Sequence, residues 1–246
     1  MDFPTTAILL GVSAALLIGF SKTGMPGAGI PAVALVAEVF RENTRLSVGA
    51  VLPLLILGDL FAIAYYRRHA DWKRLLALCP YVVAGMVPAY LVLRFVNDDS
   101  LRVAIGVLIL VLLLLHVVRQ RYGFQQLADR WWFTAITGSL AGFATTVSNA
   151  AGPVMGIYLV SQHADKHQFL GTSAWFFFLV NVSKIPGYIT LGMMTRRTLN
   201  FDLLLAPVVA AGAMIGVRIL KRIPQAVFDV LVLALAGVAA LRMVFF

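Results

Sequence analysis

The chain has 246 residues, of which 61% are hydrophobic and 13% charged, and its mean hydropathy is +0.90. Soluble domains carry about 45–50% apolar and about 25% charged residues, so these values exclude an ordinary water-soluble domain and describe a membrane-embedded chain. Lysine and arginine outnumber acidic residues 20 to 11, a net +9, but most of them sit in short gaps between apolar runs, a pattern that orients a membrane protein and argues against nucleic acid as a partner.

Residues 5–40 form an apolar stretch broken by Ser21-Lys22-Thr23-Gly24-Met25-Pro26-Gly27-Ala28-Gly29. The leg before the break has about 15 residues and the leg after it about 12, roughly 18 Å as helix, against a hydrocarbon core of about 30 Å. The economical reading is a re-entrant helical hairpin, since non-helical backbone is tolerated at depth only where protein or a polar cavity covers it. Apolar runs long enough to cross follow at Leu46–Tyr66, Leu75–Val96 and Leu101–Val118. The most polar connector, Arg119–Arg130, leads into a second broken stretch, residues 131–162, interrupted at Thr145-Thr146-Val147-Ser148-Asn149-Ala150-Ala151-Gly152-Pro153. It predicts a second hairpin. Three more runs follow at Phe169–Met194, Leu203–Leu220 and Val227–Phe246.

The two broken stretches are alike. With an offset of 123, Gly19-Phe20 falls on Gly142-Phe143, Thr23 on Thr146, and Ala28-Gly29 on Ala151-Gly152. With small gaps Gly49 falls on Gly171, Asp59 on Asn181, Tyr66 on Tyr188, Pro80 on Pro207 and Gly85 on Gly212. This common order predicts an all-α polytopic protein made of two homologous halves, each one re-entrant hairpin plus three transmembrane helices. The N-terminal repeat is 1–119, a cytoplasmic linker is 120–130, and the C-terminal repeat is 131–246, together one membrane domain. An odd number of crossings per half makes the repeats inverted, with both termini outside. That topology gathers eleven basic residues on the linker face and seven on the other, in the sense of the positive-inside rule.

Inverted halves with Gly/Pro-interrupted segments in corresponding positions point to a secondary transporter with its site at the midplane, working by alternating access. A broken helix offers unpaired N–H groups and the positive end of its dipole to an anion at the break. Gly24, Gly27, Gly29 and Gly152 let a ligand approach the backbone, and Ser21, Thr23, Thr146, Ser148 and Asn149 supply side-chain donors. The same glycines can equally serve tight turns and helix packing. Lys22 at the first break and Lys184 inside an apolar run are costly in lipid and add positive charge to such a site. The alternatives are snorkelling for Lys22 and a structural ion pair for Lys184. Asp59, the one carboxylate well inside a predicted span, could pair with a lysine or exchange a proton and so is a candidate for coupling; the alternative is helix–helix hydrogen bonding, and its counterpart Asn181 keeps the polarity and drops the charge.

Other chemistries fail on inspection. Gly19-Phe20-Ser21-Lys22-Thr23-Gly24 lacks the Gly-Lys-[Ser/Thr] ending of a phosphate loop. The four histidines sit at span ends or connectors, and the single Cys79 forms no intrachain disulfide. No metal site, cofactor or enzyme activity is expected. A lipid-phosphate phosphatase is the rival from another class, weakened because Asp59 stands nearly alone. A passive anion channel stays open, as does a homodimer.

The segments GFSKTGMPGAG (Gly19–Gly29), SVGAVLPLLILGDLFAIAYYRRHADW (Ser47–Trp72), SNAAGPVMGIYLVS (Ser148–Ser161) and FLGTSAWFFFLVNVSKIPGY (Phe169–Tyr188) resemble the sulfite exporter TauE/SafE family. The similarity runs through both halves. It implies a multi-pass protein of the cytoplasmic (inner) membrane, embedded in lipid, that moves a small sulfur-containing anion: sulfite, sulfoacetate or a related organosulfonate.

Overall fold

A computed structural model of the protein describes residues 3–25, 29–40, 44–95, 130–149 and 151–224, with scattered positions in 107–114 and 226–244. All regular structure among the described residues is helical. The helices are α1 (Thr5–Thr23), α2 (Ile30–Val39), α3 (Thr44–Tyr66) running into a 3-10 turn at Arg67–His69, α4 (Trp72–Phe95), α5 (Trp131–Ser148), α6 (Gly152–Ser161), α7 (Lys166–Thr190) and α8 (Arg196–Leu220).

By length and composition Thr5–Thr23, Leu46–His69, Trp72–Val92 and Arg196–Leu220 can each cross a membrane. Three of these cover the runs expected at Leu46, Leu75 and Leu203. The run Phe169–Met194 is helical over most of its length as α7, but Asn181, Ser183 and Lys184 dilute its apolar character. The runs Leu101–Val118 and Val227–Phe246 lie largely outside the described residues. The helix α1 departs from expectation, with 19 residues in place of about 15, because Ser21 and Thr23 bond back to the preceding turn instead of ending it. Ser21 Oγ donates to the Ile18 carbonyl at 2.9 Å and Thr23 Oγ1 to that of Gly19 at 3.2 Å.

The chain forms two compact units, Met1–Ala70 with Leu170–Ile223, and Asp71–Phe169 with Pro224–Phe246. In the first, α1 packs along α8 and α3. The contact is close because it is made by glycines: a Cβ at Gly19 would strike the carbonyl oxygen of Val209, and one at Gly212 the carbonyl oxygen of Leu16. Small residues let helix backbones approach where lipid supplies no hydrophobic drive to associate. In the second unit α4 and α5 make the same contact, Gly142 on the Val82 carbonyl and Gly85 on that of Ser139. Leu16 and Ser139 are 123 apart, as are Gly19 and Gly142, while Val82 and Val209 share the spacing of 127 found for Gly85 and Gly212. One packing unit therefore occurs twice, each time joining a broken helix pair to a long helix distant in sequence.

Each break folds the chain back on itself. Gly29 returns beside the Ser21 side chain. At the other end of α2, Phe40 packs edge-on against Phe3 just before α1, with ring centroids 6.3 Å apart, and Phe201 of α8 packs against both rings. In the second unit Tyr158 of α6 stacks on Phe133, near the start of α5, at 6.2 Å. Helices α3 and α7 run antiparallel: Gly49 near the start of α3 abuts the Met193 carbonyl just after α7, and Gly171 near the start of α7 abuts the Tyr66 carbonyl at the end of α3. The outer faces are apolar, with Leu9, Leu76, Leu91 and Leu203 all 60% exposed or more. Trp72 and Trp131, exposed at the first residues of α4 and α5, have the amphipathic rings favoured at a membrane–water boundary.

Candidate functional site

The first unit assembles a charged cluster inside its helices. Gly58 of α3 leaves the space that the stem of Lys22 fills, since a Cβ there would lie 2.9 Å from Lys22 Cγ. The next residue, Asp59, meets the end of that stem: Lys22 Nζ is 2.7 Å from Asp59 Oδ1. The other carboxylate oxygen accepts a hydrogen bond from Asn181 Nδ2 at 2.8 Å. The Lys22 ammonium also lies over the Phe177 ring, 4.2 Å from its centroid. Lys184, one turn beyond Asn181 on α7, is wholly buried, with Nζ 5.6 Å from the centroid of Tyr188 and within electrostatic reach of both Lys22 and Asp59.

The depth of this cluster follows from helix geometry. At 1.5 Å per residue Asp59 lies about 20 Å along α3 from Leu46 and about 15 Å from His69, near the middle of that span. The end of α1 is fixed at the same level, with Tyr66 Oη donating to the Thr23 carbonyl at 2.9 Å and Thr23 Oγ1 to the Ala213 carbonyl at 2.7 Å. Two lysines and one carboxylate therefore sit near mid-span. Burying an ion in such surroundings costs several kcal/mol unless a partner compensates, and Asp59 is the partner of Lys22.

The structure brings together Lys22, Asp59, Asn181 and Lys184 from the residues the sequence singled out. Ser21 and Thr23 are buried beside the same break, but their hydroxyl hydrogens go to backbone carbonyls. Gly24 serves packing, because a Cβ there would lie 2.7 Å from Gly216 Cα. Gly29 caps α2, which starts at the next residue, and α6 starts at Gly152. In the second unit Thr146 Oγ1 donates to the Gly142 carbonyl at 2.8 Å, repeating the Thr23–Gly19 bond at the equivalent position. Asn149 ends α5 in the left-handed conformation, φ 55°, a role asparagine fills more readily than most residues. A Cβ at Gly152 would meet no atom within 4 Å, so space lies open at the start of α6. Gly27 and the Ser148 side chain lie outside the described residues.

One buried carboxylate is not apparent from the sequence. Asp202 adjoins the run beginning at Leu203, yet α8 starts six residues earlier, at Arg196. Asp202 is 5% exposed and neither of its carboxylate oxygens accepts a hydrogen bond among the described residues. Asp59 is thus not the only acidic group within a membrane-crossing helix. Since Asp202 makes no bond that asparagine would forfeit, the Asp202→Asn variant is expected to keep or raise the thermal midpoint of the purified protein. A fall of several degrees would mean that the carboxylate holds a partner.

The family model described as Sulfite exporter TauE/SafE matches residues 7–243 of the chain. No curated protein and no solved structure matches it.

Proposed function

The chain belongs to the sulfite exporter TauE/SafE family, a family of membrane transporters, and from that premise we propose that it is a secondary transporter for a small sulfur-containing anion such as sulfite, sulfoacetate or a related organosulfonate. The observation that carries this reading is the gathering of two lysines, Lys22 and Lys184, with Asp59 near mid-span, since cationic side chains at that depth suit an anion. Asn181 and the polar and glycine residues of the first break, Ser21, Thr23, Gly24, Gly27 and Gly29, complete the site in this reading, and Thr146, Ser148, Asn149 and Gly152 are proposed to serve anion binding at the second break.

Transport proceeds by alternating access between inverted repeats, 1–119 and 131–246, in the cytoplasmic membrane, with 120–130 on the cytoplasmic side. The antiparallel crossing of α3 and α7 supports inversion. Helices that are equivalent by sequence but opposite in direction are related by an axis across them, and the equivalent residues Asp59 and Asn181 touch each other where such an axis would pass. The return of α2 along α1, with the break level with mid-α3, supports a re-entrant hairpin.

Proteoliposomes containing the purified protein test the reading. Uptake of sulfite or sulfoacetate is expected to saturate and to respond to an imposed potential, which is worth about 2.3 kcal/mol per charge per 100 mV. Flux of every anion without saturation would favour a channel. Phosphate release from a lipid pyrophosphate would favour an enzyme.

A further inference from the structure

The cluster contains its own anion. Asp59 holds the place beside Lys22 that an arriving substrate would need, and it is wholly buried there. We propose that Asp59 is a built-in counter-ion that an anionic substrate displaces from Lys22, and that Asp59 takes up one proton from solvent as this happens, so that anion and proton bind together. The inference rests on the anion-transport reading above.

Two observations lead to it. First, a substrate anion brought against Lys22 would lie beside the ionised Asp59 carboxylate in a buried site, and two like charges sharing one ammonium ion do not both remain ionised. Second, Asn181 is equipped for either form of the carboxyl. Its Nδ2 now donates to Asp59 Oδ2, while its Oδ1 is buried without a hydrogen-bond partner among the described residues. A half-turn of the amide would present that oxygen to the O–H of a protonated Asp59. Asparagine carries both donor and acceptor, which neither a carboxylate nor a lysine offers. The balance is simple: the proton forms an O–H bond on the carboxyl group, Lys22 keeps its charge, and the substrate replaces the carboxylate as its partner.

The charged and titratable groups around Asp59 are consistent with this exchange. Lys22 on α1 and Lys184 on α7 act on it directly. Tyr188 of α7 lies against Lys184, and Tyr66 at the end of α3 bonds the Thr23 carbonyl. On the other helices packed against α3, Glu38 of α2 and Arg218 of α8 are exposed. Asp202 of α8 follows Phe201, which touches Gly11 of α1, about 16 Å along that helix from Lys22. Lys22 remains the charge that trades partners with Asp59.

Calorimetry of the full-length protein in nanodiscs tests the proposal, with sulfoacetate as the probe because its charge is constant near neutral pH. Titrations in two buffers of different ionisation enthalpy report the protons taken up per anion bound. Roughly one proton is expected in the wild type near pH 7. In Asp59→Asn no uptake is expected, with affinity equal to or tighter than wild type and flat between about pH 6 and about pH 8. Wild-type binding without proton uptake, or uptake that persists in Asp59→Asn, overturns the proposal while leaving the anion site standing. Absence of binding by both sulfoacetate and sulfite overturns the site and the proposal together. The wild-type proton count decides by itself if the variant does not fold.

Discussion

Replacing Lys184 by alanine is expected to weaken binding of the transported anion by about 100-fold, the scale set by about 2–5 kcal/mol for removing one partner of a buried charge interaction. Lys22→Ala should cost binding to a similar degree, but it also strands Asp59, and a buried carboxylate without its ion-pair partner is strongly destabilising. The single variant therefore mixes stability with affinity. The double variant Lys22→Ala/Asp59→Asn separates them. It removes one positive and one negative charge, so the net charge of the cluster stays as in the wild type while the ammonium beside the substrate is gone. Its thermal midpoint should recover relative to Lys22→Ala, and its anion affinity should not. Binding titrations and thermal unfolding of the four proteins in one detergent would decide. Wild-type affinity in both Lys184→Ala and the double variant would remove the cationic site.

The parts of this site that sequence reveals are those whose cost is visible residue by residue. A lysine or aspartate within an apolar run is expensive wherever it points, so Lys22, Asp59 and Lys184 stand out from their neighbours in the chain alone. The breaks are marked by Gly, Pro, Ser and Thr, and α2 and α6 begin beside Gly29 and at Gly152. Which charge meets which is another matter. The Lys22–Asp59 pair joins α1 to α3 across the whole of α2, and it depends on Gly58 clearing a path for the lysine stem. Glycine carries no mark that distinguishes this role from a turn or a kink. Asp202 is hidden for a related reason: at the edge of an apolar run it reads as a span boundary, and only the start of α8 at Arg196 places it inside. The full length of α1 is equally illegible, because Ser21 and Thr23 look like helix breakers until their hydroxyls are seen bonding to carbonyls of the turn behind them.

The duplication makes a prediction about stability that is independent of the ligand. Alanine at Gly85 is expected to lower the thermal midpoint by about 3–10 °C, and alanine at Gly212 by a similar amount, on the basis of about 1–3 kcal/mol for overpacking and about 2–4 °C per kcal/mol at this chain length. The new methyl group in each case would lie on a backbone carbonyl oxygen of a neighbouring helix, that of Ser139 or of Leu16. A side chain could rotate out of the way, but a carbonyl in a helix cannot move without separating the helices or breaking its own hydrogen bond. Gly19→Ala and Gly142→Ala, facing the carbonyls of Val209 and Val82, should form a second matched pair. Gly152→Ala serves as the control, since its methyl group meets no atom within 4 Å and the position lies in a helix that alanine favours. It should leave the midpoint unchanged or raise it slightly. Matched losses within each pair would mean that the same helix contact supports both units. If one member of a pair tolerated alanine while the other unfolded, that equivalence of the two units would be lost, and the inverted-repeat reading would keep only the α3–α7 crossing as its support.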